Sequence, residues 1–180
     1  MTLGWKPSAD TPLRKKLWDG SIPIKIDLAL NDVSAFEKPT SMYILANRMG
    51  YLAIFLKDIR KHFDSFAPSP CDQSEVWLDF NKVPLSWNLP VGLMFDLLEG
   101  IEQGVPWTLT LHYRGIPADK IARCGGVESI RFFFINALKE AMYLRTTSSK
   151  ELMNMAKEEE SKLIESILKS NPLFTLSGLH

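Results

Sequence analysis

The chain has 180 residues, of which 46% are hydrophobic and 23% charged, enough for one domain with a proper core or a small domain with an appendage. Lys plus Arg equals Asp plus Glu at 21 each, which excludes a global field that would recruit nucleic acid or an anionic membrane, so any such contact is local. The two cysteines, Cys71 and Cys124, suggest no disulfide framework, and neither a signal-peptide core nor an apolar run of about 18 residues occurs, so the chain reads as cytosolic.

Residues 1–16 read as a flexible leader that overlaps a short helical turn at Leu13–Asp19, where Trp18 anchors the chain before Asp19-Gly20. From Ser21 the period is two: Ile22, Ile24, Ile26, Leu28 and Leu30 alternate with Pro23, Lys25, Asp27 and Ala29, which predicts a half-buried strand. Met42–Ala46 predicts a second strand, and Leu52, Phe55, Leu56, Ile59, Phe63 and Phe66 then fall at helical spacing. Val76, Leu78 and Phe80 predict a third strand. Asn81-Lys82 links it to Val83–Trp87 as an antiparallel hairpin. Pro90 suits the first turn of a helix over Val91–Leu98, and alternation from Trp107 to Arg114 predicts a last strand. This order predicts an α+β fold, one mixed sheet wrapped on a helix as in ubiquitin-like β-grasp domains, with everything after Gly126 helical. Ser148 and Glu151 stand at capping-box spacing ahead of a final amphipathic helix that runs to about Lys169.

Within the helical part, Arg131–Leu144 carries an unusual pattern. Ile130, Phe133, Phe134, Ala137, Leu138, Ala141 and Leu144 share one helical face, which predicts a buried stripe. Lys139 points the other way, among Phe132, Ile135 and Tyr143, with Glu128 and Asn136 as polar relief. Either the helix is packed on both sides and Lys139 snorkels along its methylene stem, or the second face is a docking surface that presents the amine.

Other chemistry is thinner. Cys124-Gly125-Gly126 precedes a helix whose dipole favours a thiolate, so a Cys124-dependent enzyme is an alternative; it needs a base, and only His62, His112 and His180 exist. No Cys/His spacing suits a metal, and Glu158-Glu159-Glu160 beside Lys157 and Lys162 reads as a solvated face. No metal, cofactor or nucleotide is expected. Lys57, Arg60 and Lys61 form a basic cluster suited to phosphate head groups or an acidic partner, and Arg14-Lys15-Lys16 beside Trp18 has an interfacial look. Trp77 lies on the strand face opposite Val76, Leu78 and Phe80, which means a second covered face or a contact surface.

The segments Trp18–Pro23, Arg48–Leu52, VWLDFNKVPLSWNLPVGLMFDLL from Val76, PWTLTLHYRGIP from Pro106 and NALKEAMYL from Asn136 resemble, in order, the autophagy protein 5 family. The resemblance runs from Trp18 to about Met155. It implies a ubiquitin-like domain over residues 17–117 and part of a helix-rich domain over 118–180. It also implies a scaffold without a catalytic centre, cytoplasmic with peripheral association to the phagophore membrane. In that family one lysine in a Lys-Glu-Ala context is joined through an isopeptide bond to autophagy protein 12. The matching position is Lys139, followed by Glu140 and Ala141; Phe132, Ile135 and Tyr143 become the candidate modifier-docking surface. The conjugate binds autophagy protein 16 and promotes transfer of autophagy protein 8 from autophagy protein 3 to phosphatidylethanolamine.

The family's second ubiquitin-like domain has no counterpart before His180. Because the groove for autophagy protein 16 uses both such domains, that contact is expected to be incomplete, and a shortened interaction module is the alternative expectation.

Overall fold

The computed structural model describes residues 16, 19–37, 39–68, 75–98 and 104–169. Arg14, Lys15, Trp18, Cys71 and most of the helical turn expected at Leu13–Asp19 lie outside them.

The alternation of the first strand sets the architecture. In β1 (Ser21–Leu28), Ile22, Ile24, Ile26 and Leu28 are buried on one face while Pro23, Lys25 and Asp27 stand half-buried on the other; Leu30, expected to extend that buried face, is 83% exposed in a 3₁₀ turn, Leu30–Asp32, where the Asp32 amide donates back to the Ala29 carbonyl at 2.9 Å. β1 pairs antiparallel with β2 (Met42–Asn47) and parallel with β5 (Trp107–His112). β5 also pairs antiparallel with β3 (Trp77–Phe80), which carries the short β4 (Val83–Pro84) on its outer edge. The sheet order is β2-β1-β5-β3-β4. The one parallel pair brings the first and last strands together at the centre, and it requires a long crossover over the inner face. That is the ubiquitin-like β-grasp arrangement expected from the element order.

A 3₁₀ turn, Leu52–Phe55, runs directly into α1 (Leu56–Phe63), and Leu52, Phe55, Leu56, Ile59 and Phe63 are the buried stripe that their spacing predicts. After Pro90, α2 (Val91–Leu98) buries Val91 and Met94. Here the backbones come close: the Gly92 amide donates to the Arg48 carbonyl at 2.8 Å, and a Cβ on Gly92 would lie 2.9 Å from that oxygen. Asp96 on the same helix pairs with the Arg48 guanidinium. Trp107 is fully buried between the helices and the sheet, with Phe95 edge-on at 5.6 Å and Phe80 at 5.9 Å.

The β3–β4 link is the expected two-residue hairpin. Asn81 and Lys82 both take left-handed backbone, φ 50° and 68°, and Asp79 accepts the Lys82 amide at 3.2 Å. The paired strand is shorter than the expected Val83–Trp87: past Pro84 the Leu85 amide still donates to the Leu78 carbonyl at 2.9 Å, and the chain then turns at Trp87, with Leu85 and Trp87 sunk into the core.

Among the described residues three helices follow: α3 (Val127–Thr146), α4 (Lys150–Met153) and α5 (Lys157–Lys169). The single final helix expected after Ser148 is thus broken at 154–156, and Ser148 Oγ accepts the Lys150 amide at 3.3 Å instead of acting at capping-box distance. Among the described residues, no helix is long and apolar enough to cross a membrane.

Candidate conjugation helix and basic cleft

α3 begins at Gly126, which takes φ 104°, a backbone that favours glycine, and its entry is tied by the Gly125 amide donating to Ser129 Oγ at 2.9 Å. Ile130 is buried in the core, and Phe133 and Phe134 pack half-buried against it, where α3 meets the Leu52–Phe55 turn. α5 closes the same half of the helix. Arg131 donates to Glu160 at 3.1 Å, and Ile164 is buried.

The outer half of α3 departs from expectation. The predicted buried stripe ends near Leu138, for Ala137 and Ala141 are exposed and Leu144 is 84% exposed. Periodicity identifies the residues that share a face, but burial needs a second surface, and no described element covers this one.

Lys139 lies 12 residues into α3, about 18 Å along its axis. It is half-buried beside half-buried Ile135, while Phe132 and Tyr143 are 65% and 60% exposed. Glu140 is exposed. Among the described residues, no ion pair engages the Lys139 amine. The helix therefore displays a lysine that is not sequestered, amid large apolar side chains that are not covered.

Cys124 is placed differently. It is 1% exposed, and burial pushes its thiol above the ordinary value, against the opposing pull of hydrogen bonds with the Gly126 backbone and Ser129. The Gly126 amide donates to Sγ at 3.4 Å. His62 bonds to the Thr40 carbonyl at 3.0 Å, and His112 pairs with Asp79 at 2.6 Å, so neither stands as its base. These features oppose a thiolate nucleophile.

Lys57, Arg60 and Lys61 of α1 line a cleft of about 550 Å³ whose opposite wall is Gly125, Gly126 and Val127 at the start of α3. Lys57 and Lys61 are exposed; Arg60 is half-buried, with its Nε shut from solvent and without a hydrogen-bond partner among the described residues. The three cations were legible as a cluster on one helix. Their convergence with Gly125–Val127 was not, because no local pattern joins segments so far apart in sequence.

On the outer sheet face, Trp77 stacks on His112 at 4.1 Å and donates Nε1–H to the Arg114 carbonyl at 2.9 Å. The face opposite the core is thus partly covered from within, and the His112–Asp79 pair beneath is one that sequence reasoning missed. Cross-strand register is the only signal that could have found it, since Trp77 and His112 stand directly opposite.

A β-grasp sheet with its helices on one face, continued by a helical segment, defines the class: a ubiquitin-like domain followed by a helical region. Residues 17–113 match the family model described as "Autophagy protein ATG5, UblA domain", and residues 127–172 match "Autophagy protein ATG5, alpha-helical bundle region". The chain belongs to the autophagy protein 5 family, as its sequence segments suggested. It is 34% identical over 168 residues to autophagy protein 5 of Oryza sativa subsp. japonica, an alignment covering 93% of this chain and 42% of that protein. It is 37% identical over 155 residues to autophagy protein 5 of Arabidopsis thaliana, covering 86% and 45%. The crystal structure of Kluyveromyces marxianus Atg5 shares the fold, with a TM-score of 0.78 at 23% identity over 88% of this chain and 63% of that one. The chain spans less than half the length of these two curated relatives.

Proposed function

We propose that this chain is a non-catalytic scaffold of autophagy conjugation, with Lys139 as the acceptor of a ubiquitin-like modifier, autophagy protein 12. The amine attacks the modifier's C-terminal thioester on a conjugating enzyme. A C–N bond forms, the C–S bond breaks, the amine gives up a proton and the enzyme thiol is released. The carrying observation is the display of Lys139 on the outer half of α3, without an ion-pair partner among the described residues and flanked by exposed Phe132 and Tyr143. Those rings with Ile135 form the surface on which the modifier seats over its own bond. The conjugate then engages autophagy protein 3 and promotes transfer of autophagy protein 8 to phosphatidylethanolamine. Lys57, Arg60 and Lys61 supply a peripheral contact with the phagophore membrane or an acidic partner.

Reconstituted conjugation tests the acceptor: Lys139→Arg keeps the charge and the fold and gives no covalent adduct, whereas an adduct at wild-type yield removes the assignment. A second reading rests on the exposed Phe132 and Tyr143 alone: the chain is an interaction module, and its contact with autophagy protein 16 is weak or absent. Pull-down with the N-terminal peptide of autophagy protein 16 separates the two. Retention of the peptide supports the full assembly, and its loss supports the module.

A further inference from the structure

We infer that the cleft between α1 and the start of α3 is a binding site for a phosphomonoester. This deepens the basic-contact reading of Lys57, Arg60 and Lys61 by naming the group they hold, and it stands apart from the assignment of Lys139. Three cations line the cleft against one carboxylate, Asp64, whose Oδ1 is already engaged by the Tyr113 hydroxyl at 2.9 Å. Among the described residues, none of the three cations has an ion-pair partner. The Arg60 Nε is shut from solvent without a hydrogen-bond partner among the described residues, so an anion in the cleft meets the other guanidinium nitrogens.

The facing wall has the same sign. The amino end of α3 carries roughly half a positive charge from its aligned peptides, and its N-cap, Gly126, supplies no side-chain acceptor to the first-turn amides. Glu128, the acid of that first turn, lines a different depression with Arg131 and Ser161. Open space surrounds the position where a Cβ of Gly126 would stand, so an outside group can approach the backbone there. Bringing three cations to a positive helix end is unfavourable for an empty cleft, and an anion reverses the sign of that interaction. A phosphomonoester carries a charge of about −1.5 to −2 at neutral pH and three terminal oxygens, enough for a guanidinium fork, an ammonium and backbone amides together. A phosphodiester offers one charge and two free oxygens, and fills the site less well. The monoester's source is either a phosphorylated lipid head group or a soluble phosphate.

The test titrates the full chain with inorganic phosphate at constant ionic strength, following the Gly126 and Val127 amide resonances. The expected result is saturable shifts, weakened about tenfold by Arg60→Gln. Because the Arg60 stem is partly buried, the exposed pair Lys57→Gln/Lys61→Gln serves as a second variant and weakens binding without loss of fold; Lys150→Gln, away from the cleft, leaves it unchanged. Vesicles then distinguish the sources. Retention on phosphatidylcholine carrying a monophosphorylated phosphoinositide, above that on phosphatidylserine at equal surface charge, assigns the lipid; saturable phosphate binding without such retention assigns a soluble ligand. Shifts that do not saturate, or that persist undiminished in Lys57→Gln/Lys61→Gln, overturn the site. Either of these outcomes leaves the Lys139 assignment standing, and vesicle retention that tracks surface charge alone then leaves the general basic contact standing too.

Discussion

Residue by residue, burial separates the proposed acceptor, Lys139, from Cys124. Lys139 is displayed on an uncovered helix, and Cys124 is enclosed, so the chemistry open to each follows from access before reactivity is considered. Iodoacetamide should therefore modify Cys124 in the folded chain far more slowly than in the denatured chain at pH 7.5; equal rates would restore the thiol as a catalytic candidate. The same burial has a pH consequence. A thiol raised on folding holds its proton more tightly in the native state, so its contribution to stability is complete below about pH 8.5 and declines as pH rises through the folded value. Tyr51, also raised by burial, adds a further decline above about pH 10. Denaturant midpoints measured from pH 7 upward should fall, and Cys124→Ala should flatten the first part of the fall while leaving the second.

Each element has a position where local sequence and global packing must agree. At α2, Gly92 lets the helix start against the end of β2, and a methyl group there would press on the Arg48 carbonyl. Gly92→Ala is expected to destabilise by about 1–3 kcal/mol in chemical denaturation; an unchanged midpoint would show that the two backbones separate freely. At the β3–β4 turn the disagreement is native, for Lys82 holds a left-handed backbone without being glycine. Lys82→Gly should stabilise by about 1 kcal/mol, and a loss of stability would place some other role on the lysine stem. Strand and helix existence was legible wherever one face is buried: β1 reads directly from Ile22, Ile24, Ile26 and Leu28. It failed on the outer half of α3, where Leu144 shares a face with Ile130 but not its environment. Sequence period encodes which residues lie together, and only the rest of the assembly decides what covers them.

For the whole molecule, element order was enough to anticipate the β-grasp sheet, because a parallel first and last strand is the arrangement that lets short hairpins and one crossover helix share a core. Long-range polar contacts were not anticipated. Asp32 accepting the Tyr113 amide at 2.8 Å is an example: two ordinary residues whose pairing exists only once β5 lies beside β1. The exposed side chains Phe132 and Tyr143 on one face of α3 and Leu144 on another leave apolar area open on a chain with no net charge and a pI near 6.8, conditions that favour self-association. Sedimentation at rising concentration should show reversible association near pH 7 that Phe132→Ser/Leu144→Ser reduces, with stability shifted by no more than about 0.5 kcal/mol for each change. Association unaltered by the pair would place the sticky surface elsewhere.

The central claim is that the outer half of α3 presents Lys139 for an isopeptide bond. Peptide mapping of the conjugate formed by the wild-type chain with autophagy protein 12 and its conjugating enzymes tests it most directly. The branched peptide is predicted to carry the modifier's C-terminal glycine on the Lys139 amine; a branch on any other lysine, or no branched peptide in an active reaction mixture, would contradict it.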